Sequence, residues 1–358
     1  VTGTGRLTDG YDLVIFDLDG VVYLGDVAIG GAVPAIGELY RRGTPVAYAT
    51  NNASRRPAEV ADLLAGLGVP AAEGEVTSSP RAAAVLLADR LPAGAAVLVV
   101  GADALREEIT AAGLVPVRLA ADAPAAVVQG YAPDVGWAAL AEACVAVRAG
   151  ALWVATNTDP TLPSPRGLLP GNGALVAALA TALDRQPDAV VGKPAPDLFR
   201  SAARRVGART PLVVGDRLDT DIEGAVRAGM ASLLVLTGVT TPASLVAAPP
   251  ARRPRYVAAD LGALSAPEPS VRVPELTAAD GAVTAGAWRL DRHGDTAHLT
   301  EAGTGTPGGR PAQPLDGLRL VCAALWSGVP AAKLSTSPGA GAVLATLGLS
   351  TTELPGLG

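Results

Sequence analysis

Leu13–Phe16 is a run of apolar residues with no polar alternation, and it stops at Asp17-Leu18-Asp19-Gly20. A strand that is apolar on both faces has to be covered on both faces, which a parallel sheet with crossover helices achieves. The pattern then returns along the chain. Pro45–Thr50 follows a helical stretch, Val33–Arg42, and ends at Asn51-Asn52. Pro57–Leu67 reads as a helix with Ser54 as its cap and Gly68 as its stop. Pro211–Val214 ends in Gly215-Asp216, Asp221–Ala228 reads as a helix stopped by Gly229, and Ser232–Leu236 as a further strand. Alternation at these lengths predicts an α/β fold with a Rossmann-like, doubly wound parallel sheet.

A second pattern of the same kind interrupts the first. Strands are expected at Ala96–Val100, Ala126–Val128 and Leu152–Ala155, and helices at Asp103–Ala112, Val135–Ala149 and Gly173–Leu183. A chain of 358 residues has room for two or three domains. The expected organisation is a discontinuous core over 1–79 and 188–264, an inserted α/β domain over 80–187, and a linker plus C-terminal extension over 265–358. Within that extension, Ser265–Pro274 reads as a proline-rich linker. Ala282–Leu290 and Thr296–Thr300 suit a hairpin about His293-Gly294-Asp295, Ala302–Pro314 a Gly/Pro-rich loop, and Leu315–Ser327 an amphipathic helix.

Composition removes several classes of function. Hydrophobic residues make up 49% and charged residues 17%, so the chain can bury a core. The formal charge of −6 argues against a nucleic-acid or membrane-surface binder, and 3% aromatics leave no platform for stacking bases. Cys144 and Cys322 are too few for a disulfide framework or a zinc cluster. With His293 and His298 as the only histidines, a metal site would have to use oxygen ligands, which suits magnesium or calcium. The N-terminal stretch lacks a basic patch followed by an apolar run. The most apolar stretch, Ala82 to Val100, is cut by Asp89, Arg90 and Pro92, so no membrane insertion is expected. The expected setting is cytoplasmic.

Chemistry concentrates at the strand ends. Side chains alternate along a strand, so Asp17 and Asp19 emerge on one side while Leu18 points away. Ligands of open α/β sheets bind outside the carboxyl ends of the strands. Two crowded carboxylates repel and are stabilised by a shared cation. Taken alone, Asp and Gly could simply end a strand. Asp216 and Asp221 form a second acidic cluster at another strand end, where Asp221 could equally be an ordinary residue of a helix start. Lys193, in Gly192-Lys193-Pro194, would be a solvated surface charge in any other context; a carboxylate-rich crevice that accepts phosphate needs such a fixed cation. Thr50-Asn51-Asn52 offers hydroxyl, amide and backbone N–H donors, or a plain polar turn.

These four pieces, in this order, resemble the four motifs of the haloacid dehalogenase superfamily of phosphatases. The insertion after the second motif resembles the larger α/β cap of the p-nitrophenylphosphatase-like branch. The likeness covers roughly residues 11 to 264. Val154–Pro163, Arg166–Gly173 and the C-terminal extension look like the bacterial group that hydrolyses glycerol 3-phosphate and carries an acetyltransferase-like C-terminal region.

The resemblance implies a magnesium-dependent phosphatase acting on a small phosphomonoester, glycerol 3-phosphate first, through an aspartyl-phosphate. Phosphoglycolate, pyridoxal phosphate, sugar phosphates and p-nitrophenyl phosphate are alternative substrates, and a non-catalytic phosphate-binding regulator is an alternative class. It implies Asp17 as nucleophile and Asp19 as general acid and base. Asp17, the Asp19 carbonyl and Asp216 would hold the ion, with Asp221 orienting its waters. Thr50, Asn51, Asn52 and Lys193 would hold the phosphate. From the insertion, Asn157, Asp159, Gly171, Asn172 and Gly173 are expected near substrate, as against a purely loop-forming role. Caps of this branch also imply a homo-oligomer. Gly303–Gly309 could be read as a pyrophosphate loop or, more simply, as a loop, and Trp288 and Trp326 are expected to be packing anchors.

Overall fold

The computed structural model describes residues 5–53, 55–164, 167–276, 280–301 and 313–349. The chain divides into two compact units: Val1–Leu24, Ala28–Glu38 and Thr210–Gly358 in one, Gly25–Val27 and Leu39–Arg209 in the other. The stretch 80–187 lies within the second unit, and 265–358 within the first. Ser54 and Gly303–Gly309 lie outside the described residues.

In the first unit, four parallel strands run in the order Tyr256–Ala258, Ala231–Val235, Pro211–Gly215, Leu13–Phe16. Every residue of Leu13–Phe16 and Pro211–Gly215 is buried, which is why neither run contains a polar residue. Leu13 stands opposite Pro211 and Phe16 opposite Val214. The Asp17 N–H continues the ladder to the Val214 carbonyl at 2.9 Å. That register brings Asp17 and Asp216 out of the sheet side by side. Asp221 belongs to a widened helical turn, Leu218–Ile222, and the regular helix begins only at Glu223.

The C-terminal extension is part of this unit's core. Strands Asp280–Ala285, Trp288–His293 and Thr296–Glu301 are antiparallel, and Leu334–Thr336 joins them in parallel. One expected strand, Ala282–Leu290, is in fact two: the chain reverses at Gly286-Ala287, where Gly286 takes a φ of +56°. Nor is the helix Pro314–Trp326 amphipathic. Asp316 through Leu325 are all buried, so it is a core helix. Leu318 and Val321 share a hydrophobic cluster with Trp288 and Leu290 of the extension and with Ile222, Leu234 and Val257 of the parallel sheet and its turn. Arg319 is buried and paired: Nε and Nη2 donate to the Val257 carbonyl at 2.9 and 2.6 Å, and Nη1 donates to Asp316 Oδ1 at 2.5 Å. The proline-rich stretch read as a linker lies along the edge strand instead. Val257 N donates to the Val271 carbonyl and Val273 N to the Arg255 carbonyl, both at 3.0 Å.

The second unit contains a five-stranded parallel sheet in the order Ala189–Val190, Leu152–Ala155, Ala126–Gln129, Ala96–Val100, Val115–Val117. The apolar stretch Ala82 to Val100 resolves into the end of helix Ser79–Arg90 and the strand Ala96–Val100. Leu105 and Ile109 of helix Asp103–Ala111 cover one face of the sheet. Ala143 and Val147 of helix Trp137–Arg148, with Val176 of helix Asn172–Leu183, cover the other. A hairpin, Thr161–Ser164 with Gly167–Pro170, carries no clear strand signal in the sequence. Strands Val46–Thr50 and Val76–Ser78 pair in parallel in the same unit. Helix Pro57–Gly66 starts at a proline, with Arg56 at the cap position. Among the described residues no helix is long and apolar enough to cross a membrane.

Trp288 is 1% exposed and its indole donates to the Gln313 carbonyl at 3.0 Å. Replacing it by alanine should cost about 3–5 kcal/mol in guanidinium unfolding, the usual result of emptying a large aromatic site. A loss under ~1 kcal/mol would show that the extension is not part of the core.

Candidate active site

One ligand atom from each of Asp17, Asp216 and Asp221 lies within 4.8 Å of the others, and all three residues are buried. The backbone is shaped around them. A Cβ on Gly20 would meet Asp216 Oδ2 at 2.7 Å, and one on Gly238 would meet it at 2.0 Å. A Cβ on Gly215 would stand 2.2 Å from that of Asp221. Side chains at these positions would displace the carboxylates, so the glycines serve the cluster. Asp216 Oδ2 accepts from Val239 N at 2.7 Å, and Asp221 Oδ2 from Arg217 N at 3.1 Å. Burial would raise the neighbouring Asp219 carboxyl, but the Arg217 hydrogen bonds and charge outweigh it and hold Asp219 below its ordinary value. Asp19 is half-buried, outside the three-carboxylate group, at the turn where Gly20 N donates to the Tyr23 carbonyl.

The donor set fits a hard divalent cation. It consists of carboxylate oxygens, drawn together where their mutual repulsion would otherwise be costly, with no histidine or cysteine among them.

In the second unit, Asn51 is the hub of a polar network. Its Oδ1 accepts from Lys193 N at 2.8 Å, while its Nδ2 donates to the Lys193 carbonyl at 3.1 Å and to Asp159 Oδ2 at 2.9 Å. The Asn51 carbonyl accepts from Asn157 Nδ2 at 2.8 Å and from Ser79 Oγ at 2.9 Å. The Asn51 side chain is thus engaged in fixing the Lys193 loop. Thr50, the last residue of its strand, accepts from Asn52 N at 3.0 Å and is buried. Lys193 is 3% exposed, far from the solvated surface lysine of the simplest reading. Gly192 must lack a side chain, since a Cβ there would stand 2.4 Å from the Thr156 carbonyl.

The insertion residues join the same network. Asn172 is buried, and its Nδ2 donates to the Asn157 carbonyl at 2.7 Å and the Gln129 carbonyl at 3.4 Å. It therefore bears on the Asn157 loop through the backbone. Gly171 N donates to the Pro160 carbonyl at 2.9 Å and Gly173 N to the Asp159 carbonyl at 2.8 Å, so both glycines seat the helix start against that loop.

Sequence reasoning missed Ser79, Thr237, Gly238 and Val239. Thr237 Oγ1 donates to the Gly20 carbonyl at 2.6 Å and so ties the Asp17 turn to a third strand end. The signal was present: Thr237-Gly238 follows the apolar run Ser232–Leu236, as Gly215-Asp216 follows Pro211–Val214.

Residues 14–115 match the family of haloacid dehalogenase-like hydrolases, and residues 190–264 match a related HAD-hydrolase-like family. The chain is 53% identical over 254 residues to the D-glycerol 3-phosphate phosphatase of Mycobacterium tuberculosis, covering 71% of each. It is similar to the crystal structure of a glycerol phosphate phosphatase from that organism in complex with magnesium, with a TM-score of 0.86 and 42% identity over 96% of this chain and 99% of that one. A p-nitrophenyl phosphatase from Archaeoglobus fulgidus gives a TM-score of 0.66 at 30% identity, covering 71% of this chain and 98% of its own. Strand-end carboxylates, a parallel sheet, two family matches and these relatives converge: the chain belongs to the haloacid dehalogenase-like hydrolases.

Proposed function

We propose that this protein is a magnesium-dependent phosphatase that hydrolyses a small phosphomonoester, glycerol 3-phosphate, to glycerol and inorganic phosphate. The observation that carries the reading is the buried meeting of Asp17, Asp216 and Asp221. Its support in substrate is the relative from Mycobacterium tuberculosis, whose name gives D-glycerol 3-phosphate as what it acts on.

Asp17, Asp216 and the Asp19 carbonyl would hold magnesium, with Asp221 fixing its waters. Bound there, the ion supplies positive charge that offsets repulsion between the Asp17 carboxylate and the phosphate dianion. Asp17 attacks phosphorus through a carboxylate oxygen; a P–O bond forms to Asp17 and the bond to the glycerol oxygen breaks. Asp19, protonated at that moment, gives its proton to the departing oxygen. It then takes a proton from the water that attacks the aspartyl-phosphate, which frees inorganic phosphate and restores the Asp17 carboxylate. Lys193, Thr50 and the backbone N–H groups of Asn51 and Asn52 stabilise the non-bridging oxygens.

Asn157 and Asp159 choose among small phosphates, Asn172 by holding Asn157 in place and Gly171 and Gly173 by seating the loop. The stretch 80–187 provides these selecting residues and, we propose, the contact of a homo-oligomer: Trp137 is 84% and Val145 58% exposed on the same helix. We propose a cytoplasmic setting for this activity.

Two expectations test the reading. Asp17→Asn should abolish release of phosphate from glycerol 3-phosphate, and Asp19→Asn should lower kcat by about 10²–10⁴-fold, the usual worth of a positioned acid; near-normal turnover by Asp17→Asn would overturn the nucleophile. Chelation of divalent ions should stop phosphate release, and added magnesium should restore it; full activity in chelator would exclude the metal.

A further inference from the structure

The second unit holds a cavity of about 170 Å³ that shares no residue with the Asn51–Asn157–Lys193 network. Val99, Gly101, Arg106, Arg118 and Asp134 are among its walls. Its place in the fold is informative. The chain passes from Ala96–Val100 outward to Val115–Val117, then returns to Ala126–Gln129 on the opposite flank of the first strand. Helix Asp103–Ala111 leaves toward one face of the sheet and helix Trp137–Arg148 toward the other. The two connections diverge between Ala96–Val100 and Ala126–Gln129, and a crevice opens outside the carboxyl ends of the strands there. Doubly wound sheets bind ligands at that kind of position. The lining comes from the end of strand Ala96–Val100 and from the connections that follow it, Val115–Val117 and Ala126–Gln129.

We propose that this cavity is a second binding site, in which Arg106 and Arg118 take the phosphate of a small phosphate ester and Asp134 accepts a hydrogen bond from its free hydroxyl. Arg118 has no hydrogen bond or ion pair among the described residues. Arg106 Nη2 donates to the Val99 carbonyl at 2.9 Å, which fixes the guanidinium in the wall. The Asp103 carboxylate lies 3.7 Å from Arg106 Nε and its side chain is 84% exposed, a weak counter-charge in water. Arg106 and Arg118 both line the cavity, and burial and then the Arg118 charge lower the Arg106 pKa. Guanidiniums are planar, multidentate donors suited to phosphate oxygens. The volume lies below the ~300–1,000 Å³ of sites for larger ligands, which fits a phosphorylated polyol. This site stands whether or not Asp17 turns over a substrate.

The phosphonate analogue of glycerol 3-phosphate, whose C–P bond resists hydrolysis, is the probe. It is titrated into the magnesium-loaded full chain while backbone amide resonances of Gly101, Arg118 and Asn51 are followed. The expected result is a saturable shift at Gly101 and Arg118 with its own affinity. That affinity should fall by about tenfold or more in Arg118→Ala, the loss of a charge-assisted hydrogen bond, and recover in part in Arg118→Lys. Turnover and the Asn51 response should be unchanged in both variants. Unmoved Gly101 and Arg118 amides, or one isotherm for wild type and Arg118→Ala, would overturn the site. An equal response to sodium sulfate at matched ionic strength would overturn the role given to Asp134.

Discussion

Three buried carboxylates within 4.8 Å of one another are the constraint on which the first unit is organised. At an effective dielectric constant of ~20, each pair of unit charges at that distance repels by about 3 to 4 kcal/mol. A fold that keeps them there needs something to hold them and something to neutralise them. The holding is visible. Gly20, Gly215 and Gly238 leave room where a Cβ would collide, and Val239 N and Arg217 N each donate to one carboxylate. Neutralisation calls for a hard cation, and the all-oxygen donor set suits one.

The surroundings make this arrangement rigid. Asp17 and Asp216 follow adjacent parallel strands that are buried on both faces, so a register slip would move a whole apolar run. The sheet is braced from the side by the C-terminal extension. Its helix Pro314–Trp326 is buried all round, and Arg319 satisfies the edge-strand carbonyl of Val257. The same cluster includes Ile222, next to Asp221, so the extension packs behind the turn that carries Asp221 and shares its core.

Much of this was legible in the sequence because buried parallel strands leave an unmistakable mark. Leu13–Phe16 and Pro211–Val214 are continuous apolar runs, and their ends place Asp17 and Asp216 without further information. Four helices of the second unit, Pro57–Gly66, Asp103–Ala111, Trp137–Arg148 and Asn172–Leu183, were legible within one or two residues, whereas Ser79–Arg90 and Asp197–Val206 were not assigned ranges. Other features were not legible. A two-residue reversal at Gly286-Ala287 hides inside a run that alternates like a single strand, so one hairpin was overlooked. Helix Pro314–Trp326 carries Asp316 and Arg319, which suggest a solvated face; their mutual ion pair and the Val257 carbonyl allow both to be buried. The prolines near Ser265–Pro274 suggest a free linker, yet Val271 and Val273 are buried along an edge strand. Asn51 reads from sequence as a phosphate donor, whereas its side chain ties the Lys193 and Asp159 loops together, a long-range role that local pattern does not reveal.

If Asp17 and Asp216 bind one divalent ion whose waters Asp221 orients, folding stability depends on free magnesium, and that dependence is the most direct measurement. Binding to the folded state alone stabilises by about 2.7 kcal/mol at a hundredfold excess over the dissociation constant. The account predicts a rise of that kind in wild-type protein and its loss in Asp216→Asn. An unfolding midpoint indifferent to magnesium, or one that rises equally in Asp216→Asn, would contradict it.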